Sequence, residues 1–181
     1  MKSKTLAFGA SGSKNSINQS FSKYVAKQLF NSYETLDLSQ FHLPIYTVDE
    51  ELENGLQETV ETIYNHIKNA DVIIISLAEH NGSYTAYFKN IFDWLSRKEL
   101  KFFIDKKLIL TATAPGPRGG QGVLDTALER FPKHGATILG HFVLPKYREN
   151  YNEENGIIDQ ELKMNFDVFV NDVRSNLLSE V

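Results

Sequence analysis

The stretch "TLAFGASGSKNSINQSFSKYVAKQL", residues 5–29, runs from an apolar segment through a polar loop into an amphipathic segment. Ile17, Phe21, Val25 and Leu29 recur at every fourth position and form one helical stripe. A strand therefore feeds a helix. The loop between them, "GASGSKNSIN" (9–18), packs two glycines, three serines and two asparagines. It has two readings. One is a plain turn, and Ser16-Ile17-Asn18-Gln19 matches the Ser-x-x-Gln capping box that starts a helix. The other is an anion cradle. A helix N-terminus offers free N–H groups and positive dipole charge, to which Ser11, Ser13 and Ser16 add hydroxyl donors and Lys14 a cation.

The same alternation continues outward. "YETLDL" (33–38), "DVIIISLA" (71–78), "KLILTATA" (107–114) and "ATILGHFVL" (136–144) read as further strands. Val72 to Ile75 is apolar without alternation, as expected of a strand covered on both faces. Helical stripes lie between and after them: Leu56, Val60, Ile63, Ile67; Tyr84, Phe88, Ile91, Leu95; Leu124, Ala127, Leu128, Phe131; and Leu162, Phe166, Phe169, Val173, Leu177. Five strands alternating with five helices predict a parallel sheet with helices on both faces. Flavodoxin-like (2-1-3-4-5) and Rossmann-like strand orders both suit this size. Both put ligands beyond the carboxyl ends of the strands, so the loops after the first, third and fourth strands should converge.

Those loops are unusual. After the third strand comes "AEHNGS" (78–83), where Asn81-Gly82 reads as a turn and Ser83 as a helix N-cap. After the fourth comes "APGPRGGQG" (114–122), whose glycines expose amides while Pro115 and Pro117 stiffen the chain. The first loop lacks both GxxxxGK[ST] and GxGxxG. A phosphate held by hydroxyls and amides, with few charges and no metal, suits a flavin mononucleotide better than ATP.

Composition bounds the rest. The chain has 181 residues, read as a single domain over 1–181, with 41% hydrophobic and 23% charged residues. A net charge of −4 argues against a nucleic-acid partner. The absence of cysteine excludes disulfides, thiolate nucleophiles and Cys-ligated metals. No apolar run reaches membrane-spanning length, and "MKSKTLAFGASGS" is too short and broken for a signal peptide, so a cytoplasmic protein without a membrane partner is expected. The histidines at 42, 66, 80, 134 and 141 show no metal-ligand spacing. His66 reads as a helix surface residue. Glu79 reads as a solvated loop carboxylate or one satisfying local amides.

The three loops together resemble the NAD(P)H-dependent FMN reductases of the flavodoxin-like superfamily, a group that includes azoreductases, quinone reductases and chromate reductases. That family's first loop reads roughly G-S-x-R-x-x-S-x-N, matched by Ser11, Ser16 and Asn18, with Ala10 for the glycine and Ser13 for the arginine. Its second signature, P-E-Y-N-G-S-x-x-x-x-L-K-N-x-[ILF]-D-W, is matched by Glu79, Asn81, Gly82, Ser83, Lys89, Asn90, Asp93 and Trp94; Ala78, His80 and Phe88 replace three of its residues. Gly116, Gly119 and Gly120 match the third.

The resemblance implies a flavodoxin-like three-layer α/β sandwich, a five-stranded parallel sheet in order 2-1-3-4-5 binding FMN. Ser11, Ser13, Ser16, Asn18 and the Ile17 amide would hold the phosphate. Ala78, Glu79, His80 and Asn81 would follow the flavin edge. Ala114, Gly116, Arg118, Gly119 and Gly120 would cover its pyrimidine end, their amides facing charge near N1. No side chain need be catalytic. NADPH or NADH would reduce the flavin, and a small acceptor (quinone, azo compound, free flavin or metal oxyanion) would reoxidise it in ping-pong order. A homodimer or homotetramer is implied, with residues 41–51 and the helix over 84–94 as partner-facing segments, although Trp94 and Phe88 also read as core. Two other classes compete: a flavodoxin-like electron carrier, and a nucleoside-processing enzyme with Glu79 as nucleophile.

Overall fold

The structure, a computed structural model, describes residues 4–179. In chain order the elements are β1 (Thr5–Ala10), α1 (Ile17–Leu29), β2 (Glu34–Thr35), α2 (Val48–Asn54), α3 (Glu58–Asn69), β3 (Val72–Leu77), β4 (Glu79–His80) and β5 (Ser83–Tyr84). Then follow α4 (Ala86–Lys98), β6 (Lys107–Thr113), α5 (Gln121–Arg130), β7 (Thr137–Leu144), α6 (Tyr147–Asn150), β8 (Tyr151–Asn152), β9 (Gly156–Ile157) and α7 (Gln160–Ser179). The main sheet is five-stranded and parallel, in order β2-β1-β3-β6-β7. With the two small ribbons β4–β5 and β8–β9 set aside, this is the flavodoxin-like order 2-1-3-4-5, and the Rossmann-like alternative falls away.

Period-two alternation explains why β3 carries no polar face. Ile73, Ile75 and Leu77 join one core with Ile63, Ile67, Phe88, Trp94 and Phe131, while Val72 and Ile74 join the other with Phe21, Val25, Phe166 and Val173. Helices α3, α4 and α5 thus cover one face, and α1 and α7 the other. Phe88 and Trp94 are core residues; Trp94 is fully buried and donates from Nε1 to the Pro44 carbonyl at 2.9 Å. Among the described residues no helix is long and apolar enough to cross a membrane.

Several boundaries differ from the sequence reading. The strand expected over 33–38 survives only as β2, because Asp37 turns the chain: its carboxylate accepts the Ser39 N–H at 3.0 Å and starts a 3₁₀ turn over Leu38–Gln40. Leu56 precedes α3 and is exposed, so it leaves that stripe, and Tyr84 belongs to β5 rather than to α4. Helix α2, unanticipated, starts where Thr47 accepts the Glu50 N–H at 3.0 Å, and it buries none of its residues. His66 is partly exposed and pairs with Glu34 at 2.8 Å.

Candidate functional site at the carboxyl edge of the sheet

The first loop is built to hold its backbone still while leaving donors free. Ser16 caps α1, its hydroxyl accepting the Gln19 N–H at 3.3 Å. Gln19 does not close the expected capping box; its side chain accepts the Gly9 N–H at 2.7 Å instead and ties the end of β1 to the first helical turn. Gly9 allows this contact, since a Cβ there would lie 2.4 Å from the Gln19 nitrogen. Ser11 and Ser16 are buried, Ser13 is exposed, and the Ser11 hydroxyl accepts the Ser13 N–H at 3.2 Å. Ile17 and Asn18 open the helix, so their N–H groups have no intrahelical acceptor, and the dipole adds positive charge there.

Asn18 welds the site together. It is 2% exposed, and its Nδ2 donates to the Thr113 carbonyl at 3.0 Å. Its Oδ1 accepts from the Ser76 hydroxyl at 2.7 Å and the Thr113 N–H at 3.2 Å. One carboxamide thus joins α1 to β3 and β6. Thr113 extends the chain to β7, donating from its hydroxyl to the Leu144 carbonyl at 2.7 Å.

The second loop is a hairpin. Asn81 and Gly82 both take positive φ, 52° and 78°, the conformation of a tight two-residue turn between β4 and β5. This pairing displaces the helix start: the N-cap of α4 is Thr85, which accepts the Phe88 N–H at 3.1 Å, and not Ser83. The Glu79 carboxylate reaches across to α5 and accepts the Val123 N–H at 2.9 Å. It is half-buried, and the amide it satisfies lies 44 residues away in α5 rather than in its own loop, so the carboxylate serves as an anchor between the two.

The third loop is rigid for a different reason. The Gly116 carbonyl accepts the Gly119 N–H at 3.2 Å and the Lys146 N–H at 3.0 Å, while the Ala114 carbonyl accepts the Tyr147 N–H at 3.1 Å. The Gly119 amide, expected to face the flavin, is therefore spent inside the loop. Gly119 also has φ 60° and no room for a side chain: a Cβ would lie 2.5 Å from Val143 Cγ1.

A cleft of about 190 Å³ lies where these loops meet. Of the residues expected at the site, Ser11, Ser13, Ser16, Ile17, Asn18, Ala78, Glu79, His80 and Ala114 line it. Asn81, Gly116, Arg118, Gly119 and Gly120 do not. Asn81, Gly116 and Arg118 are exposed beside the cleft, while Gly119 and Gly120 are buried behind it. Asn15, Thr113 and Pro115 line it unforeseen. Thr113 carried a signal, being a polar residue at the end of a buried strand that leads into the third loop.

A parallel sheet of this order, with a hydroxyl-rich first loop opening on a helix N-terminus at the topological switch point, defines a protein of flavodoxin-like fold. Residues 3–149 match the family described as NADPH-dependent FMN reductase, and the chain belongs to that family. Its cofactors are accordingly FMN and the reductant NAD(P)H. An uncharacterised protein of Mycoplasma pneumoniae is 26% identical over 164 residues, covering 88% of this chain and 97% of its own length. The quinone reductase of Escherichia coli K12 is 33% identical over 78 residues, 43% of this chain and 42% of that protein. The NADPH azoreductase of Bacillus sp. OY1-2 is 34% identical over 104 residues, 58% of this chain and 54% of that protein. The chain thus matches about half the length, or less, of these two named reductases. Among solved structures, the flavoenzyme NAD(P)H:(acceptor) oxidoreductase FerB of Paracoccus denitrificans superposes with a TM-score of 0.74 at 21% identity, covering 96% of this chain and 98% of FerB, a likeness of fold.

The first loop fits the phosphate of FMN. Unpaired helix-terminal amides beside buried hydroxyls suit a phosphate.

Proposed function

We propose that this protein is an NAD(P)H:acceptor oxidoreductase whose FMN phosphate sits on the first loop. The observation that carries this is the cleft itself, where the Ser11, Ser13 and Ser16 hydroxyls and the first amides of α1 meet the second and third loops. Bound FMN supplies a ring that accepts hydride from the nicotinamide and passes electrons to a second substrate. The chain's own work is to bind and orient. Ser11 and Ser16, set by the cap and the Gly9–Gln19 contact, donate to phosphate oxygens together with the Ile17 N–H. Asn18 acts from behind, its carboxamide already bonded at both ends. The backbone of Ala78, Glu79 and His80 follows one edge of the ring, and Ala114 and Pro115 close another.

The open side of the cleft receives NAD(P)H and then the acceptor, a quinone, azo compound, free flavin or metal oxyanion, in ping-pong order. The protein works as a homo-oligomer. Its support is α2 and the segment before it, where Ile45, Val48 and Leu52 are 80%, 62% and 79% exposed. Anaerobic NADPH or NADH should bleach the absorbance of FMN-loaded protein, and a quinone or azo dye should restore it. Steady-state plots at several fixed acceptor concentrations should be parallel. Failure to bleach with either nucleotide contradicts the proposal.

A further inference from the structure

Helix α5 begins without a cap of its own. Its N-cap is Gly120, in a left-handed conformation with φ 90°, and no side chain there accepts a hydrogen bond. The orphan N–H groups of its first turn need an acceptor from elsewhere. Glu79 supplies one across 44 residues, through its bond to the Val123 N–H. The surroundings leave space for this contact. At Gly122 a Cβ would lie 3.0 Å from Glu79 Oε2, 3.3 Å from the Gly82 carbonyl and 3.4 Å from Arg118 Nη2. The Glu79 carboxylate, the Gly82 carbonyl and the Arg118 guanidinium therefore all border Gly122 in the first turn of α5.

We infer that Glu79 is a positioning residue that fixes the hairpin against the third loop and sets how readily the bound flavin is reduced. The inference rests on the reading that the cleft holds FMN. Its first half is geometric. The Glu79 backbone lies in the hairpin that lines one side of the cleft, and its side chain is pinned to the helix that follows the third loop, so the bond fixes the distance between the two walls. Its second half is electrostatic. A helix N-terminus stabilises added negative charge, and two-electron reduction makes the flavin ring electron-rich. The Glu79 carboxylate, which lines the cleft and bonds the first turn of α5, offsets that field and adds negative charge beside the flavin. The protein thereby keeps its flavin harder to reduce, and a harder-to-reduce flavin passes electrons on to its acceptor more readily.

Glu79→Gln and Glu79→Ala separate the two halves. The glutamine carbonyl still accepts the Val123 N–H but carries no charge. It should bind FMN within about threefold of the wild type, with a midpoint potential, read by dye equilibration, shifted to more positive values. The alanine loses both properties, and its FMN Kd should rise about tenfold. Gly122→Ala is the independent check. It keeps the Glu79 charge and favours helix formation in α5, yet its Cβ, 3.0 Å from Glu79 Oε2, pushes the carboxylate back from the Val123 N–H by a few tenths of an ångström. Its FMN Kd should rise about threefold, with a positive shift in potential smaller than that of Glu79→Gln. Circular dichroism melts verify that each variant is folded. Wild-type protein that binds no FMN would overturn the reading of the cleft. Wild-type protein that binds FMN, with an unmoved potential in Glu79→Gln or an unmoved Kd in Glu79→Ala, would overturn the role of Glu79 alone.

Discussion

The first and third loops look alike in sequence, both short, rich in small residues and set between a strand and a helix, yet they spend their backbone differently. In residues 11–18 the hydroxyls and side-chain contacts hold the chain, and the first helical amides stay free. In residues 114–120 the carbonyls of Ala114 and Gly116 consume neighbouring amides, and Gly119 serves fit rather than donation. The same composition thus makes a cradle in one place and a wall in the other. What separates them is whether side chains relieve the backbone of the task of holding the loop together.

The largest effect should come from breaking the weld beneath the first loop. Asn18→Leu keeps the branched shape of the side chain but takes the Asn18 partner from the Ser76 hydroxyl and from the backbone N–H and C=O of Thr113. Urea unfolding should show a loss of about 3 kcal/mol or more, and FMN binding should disappear. Next come the hydroxyls. Ser11→Ala and Ser16→Ala should each weaken FMN about tenfold by flavin-fluorescence titration, and Ser16→Ala should also cost about 1 kcal/mol as a lost cap. Gly116→Ala, in the wall, meets nothing within 4 Å of its new Cβ and should leave the affinity within about twofold. An equal loss in both loops would erase the contrast.

Ser13→Arg adds a cation where the family pattern places an arginine. The exposed position accommodates it, and FMN should bind about threefold to tenfold more tightly. Unchanged or weaker binding would show that the register of this loop differs from the family's.

The smallest effect lies away from both loops. Burial lowers the His134 pKa, opposed by its 2.7 Å bond to the Leu100 carbonyl and assisted by Arg130. The unfolded state then takes up the proton first as pH falls through the ordinary histidine range. Stability is full above that range and declines below it, by at most about 1.4 kcal/mol per pH unit. His134→Gln should flatten that slope between pH 7.5 and 5 in melting experiments and leave FMN affinity at neutral pH unchanged.

Much of this architecture is legible in the sequence because burial on both faces writes itself plainly. Strands β1, β3, β6 and β7 fall within a residue or two of the apolar runs, and the Asn81-Gly82 turn shows in its residue types. The edge strand β2 is harder, since an edge needs few apolar residues and Asp37 ends it through a local side-chain bond. Asn18 and Glu79 are harder still. A carboxamide or carboxylate has a partner fixed only by tertiary contact: Asn18 meets Thr113 across 95 residues, and Glu79 meets Val123 across 44. Glycines mislead for the opposite reason, because close packing and free amides call for the same residue.

The measurement closest to the central claim compares FMN with riboflavin, which lacks only the phosphate. If the first loop is the phosphate cradle, wild-type protein should bind FMN at least about a hundredfold more tightly than riboflavin, and Ser16→Ala should narrow that ratio. Equal affinity for the two flavins would contradict the account.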